Sequence, residues 1–210
     1  MNSRRNFLKK SSLITLGAFN YNFAPIIKNI NGVDISVITY SFNPRSEDMN
    51  VIIQNCIDSG TDNIELMGNH VESSLGMPKS KRLISDWRAN VSMKLFRDAK
   101  NFFKHHGINI FAFKPNCIGS KNTDGEIEYA MRATKYLGAD FLINELLDND
   151  DIDRVNYFAE KHKVKVGYHT HHNNLGSNKI TTDHAWDYAL KSSKRNYINC
   201  LLYTSPSPRD

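Results

Sequence analysis

From residue 33 onward the chain alternates between two hydrophobic periods. Short β-rich runs with apolar residues continuous or at every second position are followed by longer stretches whose apolar positions fall three and four apart. The run VDISVITYSF (residues 33–42) predicts a first strand. EDMNVIIQNCIDSG then predicts a helix with Ile52, Ile53, Cys56 and Ile57 on one stripe and Gly60 as its stop. TDNIELMG predicts a second strand. The helix VSMKLFRDAKNFFKHHG, with Leu95, Phe96, Ala99, Phe102 and Phe103 apolar, leads to a third strand, INIFAFKPN. DGEIEYAMRATKYLGA, with Ile127, Ala130, Met131 and Leu137 ahead of a stop at Gly138, precedes a fourth in DFLINELL. DIDRVNYFAEKHK leads into a fifth, VKVGYHTHHN. A last helix, TTDHAWDYALKSSK with Ala185, Trp186, Ala189 and Leu190, comes before YIN.

The pattern amounts to five strand–helix units and the opening of a sixth strand. Regular alternation with short links predicts an α/β fold, a parallel sheet covered by helices. An open doubly wound sheet and a (β/α)8 TIM barrel both satisfy it. The first strand is followed by TYSFNPRSED, which has no G-x-G-x-x-G turn, and this counts against a dinucleotide fold. Glu65, Lys114, Glu145 and His169 instead stand at the C-terminal ends of four strands, where a barrel keeps its chemistry. A full barrel takes about 250 residues, so residues 33–199 read as a partial one. The connection at residues 68–90, GNHVESSLGMPKSKRLISDWRAN, shows no sustained period. It is expected to form a lid or substrate wall, with His70, Arg82, Trp87 and Arg88 available to contact a sugar or an anion. The competing reading is a solvated insertion with Trp87 packed on the rim.

Strand alternation assigns directions to the candidate chemistry. Val164, Val166 and Tyr168 share one face of the fifth strand, and Lys165, Gly167, His169 and His171 share the other. If the apolar face meets the helices, His169 and His171 point into the barrel mouth and His172 away from it. Two imidazoles two residues apart can ligate one divalent cation, or form a hydrogen-bonded pair without metal. In the second strand Glu65 and Met67 lie opposite Ile64 and Leu66. An inward carboxylate is costly unless paired or metal-bound. Lys114, expected on the inward face with Ile110 and Ala112, can neutralise Glu65, bind a substrate oxyanion, or act as a base if desolvated. Glu145 shares parity with Phe141 and Ile143 and reads equally as site or rim.

Charge changes the picture at one end only. The chain has 27 Lys and Arg against 22 Asp and Glu, but Arg4, Arg5, Lys9, Lys10 and Lys28 fall in the first 30 residues without any acid. Removing those five from 27 leaves 22 bases against 22 acids, so the body is neutral and a nucleic-acid surface is not expected. Residues 3–9, SRRNFLK, followed by a modest apolar run at residues 13–19, resemble a twin-arginine export signal. The apolar run is too short for a permanent membrane anchor, so residues 1–30 are expected to be a leader to the periplasm or beyond. At the other end CLLYTSPSPRD (residues 200–210) matches the translation of a common transposase sequencing adapter. The native reading is expected to break off near Asn199, leaving an unclosed barrel that folds poorly and is inactive by itself. Cys56, Cys117 and Cys200 show no metal-type pairing, and Cys56, on an apolar helical stripe, is expected to be a buried, inert thiol.

ITYSF, IELMGNHVESSLGMP, FAFKPN, YAMRATKYLGA and VGYHTHHN together resemble, in order and spacing, the sugar phosphate isomerase/epimerase group of xylose-isomerase-like TIM barrels. The likeness spans residues 33–199 and is to an exported branch with a Y-H-x-H strand. The resemblance implies a divalent metal (manganese, zinc or cobalt) on vicinal oxygens of a sugar or polyol, and carboxylates that shuttle a proton beside a carbonyl. In such relatives the first ligand on the fifth strand is a glutamate, where His169 stands here. The expected function is a metal-assisted isomerase or epimerase of a keto-sugar or polyol, working through an enediolate. His169 and His171 would hold the metal, and Glu65, Lys114 and Glu145 would be catalytic. A lyase or dehydratase on the same site, or an exported sugar-binding barrel without catalysis, are the alternatives.

Overall fold

The computed structural model describes residues 29–30, 33–42, 46–170 and 182–199. Most of the expected leader, His171 and His172, and the 200–210 tail lie outside the described residues. Two short strands, β1 (Asn29–Ile30) and β2 (Val33–Asp34), pair antiparallel with each other. Among the described residues the main sheet has six parallel strands: β3 (Val37–Ile38), β4 (Asn63–Met67), β5 (Asn109–Lys114), β6 (Phe141–Glu145), β7 (Lys165–His169) and β8 (Asn196–Ile198). The first predicted strand is therefore divided. Its start belongs to the β1–β2 pair, only Val37 and Ile38 enter the sheet, and Thr39–Ser41 turn into a 3-10 helix.

Each strand of this sheet lies beside its predecessor, in the order β3-β4-β5-β6-β7-β8. Doubly wound sheets reverse their strand order at a switch point. Sequential winding without reversal is that of a (β/α)8 barrel, and the six strands follow it. The sheet is also curled. Asn199, one residue beyond β8, donates its side-chain N–H to Glu65 Oε2 on β4 at 3.4 Å, a bond that crosses the concave face.

Among the described residues seven helices accompany the strands: α1 (Met49–Ser59), α2 (Gly68–Ser74), α3 (Lys81–Asn90), α4 (Met93–His105), α5 (Asp124–Leu137), α6 (Asn149–His162) and α7 (Asp183–Ser192). Their ends follow local chemistry. Asp48 caps α1 by accepting from the Asn50 N–H, and Gly60 closes it at φ 68°, where a side chain would be strained. Thr123 and Glu126 form a reciprocal capping box at the start of α5. The core lies between helices and sheet. Ile64, Leu66, Phe113, Leu142, Val166 and Tyr168 from the strands pack on Ile52, Phe96, Phe103, Ile127, Met131 and Val155 from the helices. Cys56 is fully buried there, and burial pushes its thiol up to about 12, an inert state.

Residues 68–90, which show no sustained hydrophobic period, contain α2 and α3. One expectation is corrected. Ile110 does not face inward with Lys114. The register steps from Ile64↔Ile110 to Glu65↔Ala112, so Phe111 is an extra residue on β5. This bulge turns Ile110 into the helix-side core with Phe113 and puts Phe111 on the concave side. Among the described residues no helix is long and apolar enough to cross a membrane.

Candidate functional site

The concave face is layered. Its floor is a small cavity of about 140 Å³ lined by Phe111, Phe141, Ile143, Gly167, Tyr197, Ile198 and Asn199. Phe141 meets Phe111 at 5.5 Å and Tyr197 at 5.4 Å between ring centroids. The ammonium of Lys165 lies 5.2 and 5.8 Å from the Phe141 and Tyr197 rings. This apolar layer gives way to ionisable groups toward the C-terminal ends of the strands.

Glu65 sits on β4 between the helix-side residues Ile64 and Leu66 and is only 4% exposed. Its Oε2 accepts from Asn199, and its buried Oε1 has no hydrogen-bond partner among the described residues. Burial pushes the carboxyl above the ordinary carboxylate range, against the pull of the Lys114 charge and the Asn199 hydrogen bond. Lys114 ends β5, and its Nζ is 4.0 Å from Glu145 Oε1. Burial lowers its pKa, and the Glu145 and Glu65 carboxylates oppose that fall. Glu145 closes β6 with a side chain about half exposed, in register with His169 at the end of β7. His169 is 3% exposed, and alternation with the core residues Val166 and Tyr168 puts it on the concave face. The Leu146 N–H donates to the His169 carbonyl at 2.8 Å, carrying the β6–β7 ladder one step past the strand ends.

Glu65, Lys114 and Glu145 are thus brought together, with His169 beside Glu145. Of the other candidates, His70 lies buried on α2 with its Nδ1 3.0 Å from the Thr39 hydroxyl. That hydroxyl also accepts from the Met67 N–H at 3.0 Å, so Thr39 and His70 fix the chain where β4 becomes α2. Arg88 is engaged elsewhere. Its Nε and Nη2 donate to the two oxygens of Glu72 at 3.2 and 3.0 Å, and its Nη1 to Glu126 at 3.1 Å. The Tyr129 hydroxyl completes the group by donating to Glu72 at 2.8 Å. Trp87 packs edge-on against Tyr129 at 6.2 Å, and Arg82 is exposed on α3. Arg88 and Trp87 therefore bind α3 to α2 and α5 instead of reaching into the concavity. Asn199 was not singled out from the sequence, yet it shares parity with Tyr197, and a sixth strand extended by one residue would have placed it inside.

His171, the expected partner of His169, lies outside the described residues. Among the described residues no three His, Cys, Asp or Glu side chains are grouped so as to hold a metal ion. The described groups do not by themselves make up the donor set that the resemblance implies.

No family model matches the chain, and neither does any curated protein. Among solved structures it is similar to an uncharacterized protein of Parabacteroides distasonis, at 20% identity and a TM-score of 0.52. That match covers 74% of this chain and 57% of the other. It is also similar to a sugar phosphate isomerase/epimerase of the same organism at 16% identity and a TM-score of 0.47, over 81% of this chain and 66% of the other. The chain spans less than two thirds of the length of either structure. The first likeness supports the fold.

Proposed function

We propose that this fold carries an isomerase or epimerase that moves a proton at the carbon next to the carbonyl of a keto-sugar or polyol-derived substrate. One observation carries the reading: a mostly buried ammonium shares the concave face with two carboxyl groups at the C-terminal ends of parallel strands, with Lys114 Nζ 4.0 Å from Glu145. An enediolate needs a fixed positive charge where its oxygen becomes negative, and a site shielded from water strengthens that interaction. Lys114 supplies the charge. Glu145, at the open rim, accepts the proton from carbon. Glu65, which burial holds toward its protonated form, returns one. Activity then falls as pH rises through the Glu65 midpoint, which lies above the ordinary carboxylate range.

The motif resemblance adds a divalent cation held by His169 and His171, which when bound would polarise the substrate oxygens. Turnover by the protein on a panel of ketoses and aldoses tests the reading. Lys114→Met and Glu65→Gln are each expected to lower kcat by about 10²- to 10⁴-fold. Turnover unchanged in both variants would remove these residues from the chemistry.

A further inference from the structure

Gly167 occupies the middle of β7, where a glycine weakens a strand and commonly marks a close approach. A Cβ there would come within 2.7 Å of Ile143 Cδ1 and 3.3 Å of Asn199 Cβ. The tip of Ile143 can turn aside. Asn199 has less freedom, because its backbone N–H donates to the Tyr168 carbonyl at 2.8 Å and pins the residue against β7. From that fixed point its carboxamide crosses the concave face to Glu65 Oε2, while Glu65 Oε1 stays buried without a hydrogen-bond partner among the described residues.

We propose that Asn199 is a positioning residue for Glu65: admitted by the bare Cα of Gly167, its carboxamide holds one carboxyl oxygen and leaves the other to a ligand hydroxyl. The proposal rests on the reading of Glu65 as the group that returns the proton. The buried Oε1, with Lys114 beside the carboxyl, suits an uncharged hydroxyl of a sugar or polyol, which can both donate to and accept from a carboxyl. Among the described residues, few titratable or polar groups share the concave face with Glu65. Lys114 comes from β5 and Asn199 from beyond β8. Glu145 of β6 and His169 of β7 share the concave face, and β3 brings only Val37 and Ile38, which do not titrate.

The test is a carbon-13 titration of the Glu65 side-chain carboxyl in the protein, which needs no turnover. A donor to the ionised carboxylate favours that form, so Asn199→Ala is expected to move the Glu65 midpoint upward. Gly167→Ala, which crowds Asn199 without removing it, is expected to move it the same way. If Asn199→Ala does not fold, Gly167→Ala decides by itself. Midpoints equal to the wild type in a folded variant would overturn the proposal. Failure of the function reading looks different: the Glu65 midpoint would shift in the variants while the wild type turned over no sugar.

Discussion

Arg88 is buried and Lys114 mostly so, yet their surroundings differ. Arg88 meets two carboxylates and makes three charge-assisted hydrogen bonds with Glu72, itself fully buried, and Glu126. Among the described residues the nearest ion-pair partner of Lys114 is Glu145 at 4.0 Å, which leaves its ammonium available to another oxygen. Removing one partner of a buried ion pair strands the others. Arg88→Met is therefore expected to cost about 3–5 kcal/mol of stability, measured by urea unfolding, because Glu72 loses its counter-charge. A loss below 1 kcal/mol would show that the cluster is not stabilising α3. Residue type alone does not distinguish them, since both are basic and the carboxylates that engage Arg88 come from distant parts of the chain. Strand parity did place Glu65 inward. It failed for Ile110, because a bulge adds a residue that no composition rule reveals.

At the scale of elements, the helices with apolar stripes and glycine stops were legible. Gly60 and Gly138 close α1 and α5 with φ of 68° and 72°. The helices within residues 68–90 were not legible. Helix α2 has seven residues, and α3 buries only Arg88, so a search for hydrophobic period finds nothing there. Its inward face is polar because it meets the carboxylates of α2 and α5. Lys163 closes α6 at φ 56° without being glycine. L-residues adopt that conformation at a cost of about 1–2 kcal/mol, partly offset by the extra chain entropy glycine loses. Lys163→Gly is expected to stabilise the protein by up to about 1 kcal/mol, read as a higher urea midpoint with unchanged slope. A lower midpoint would mean that the lysine side chain contributes more than its backbone strain costs.

Over the whole molecule, the alternation of strands and helices was readable because each unit is local, and the absence of a phosphate turn pointed to sequential winding. Among the described residues β3 and β8 each have one unpaired side, and Tyr197 and Ile198 on β8 are 39% and 63% exposed. Unpaired strand edges with apolar side chains invite association. The 210-residue chain is expected to self-associate as its concentration rises, and Ile198→Lys to reduce this in light scattering. Equal association by both would place the contact elsewhere. In the proposed reaction Lys114 steadies negative charge on the concave face while Glu65 and Glu145 handle a proton. The most direct test is proton NMR of a keto-sugar with the protein in heavy water. The account predicts loss of the C–H signal beside the carbonyl with wild type and retention with Lys114→Met. Equal exchange in both, or no exchange with any sugar by the wild type, would contradict it.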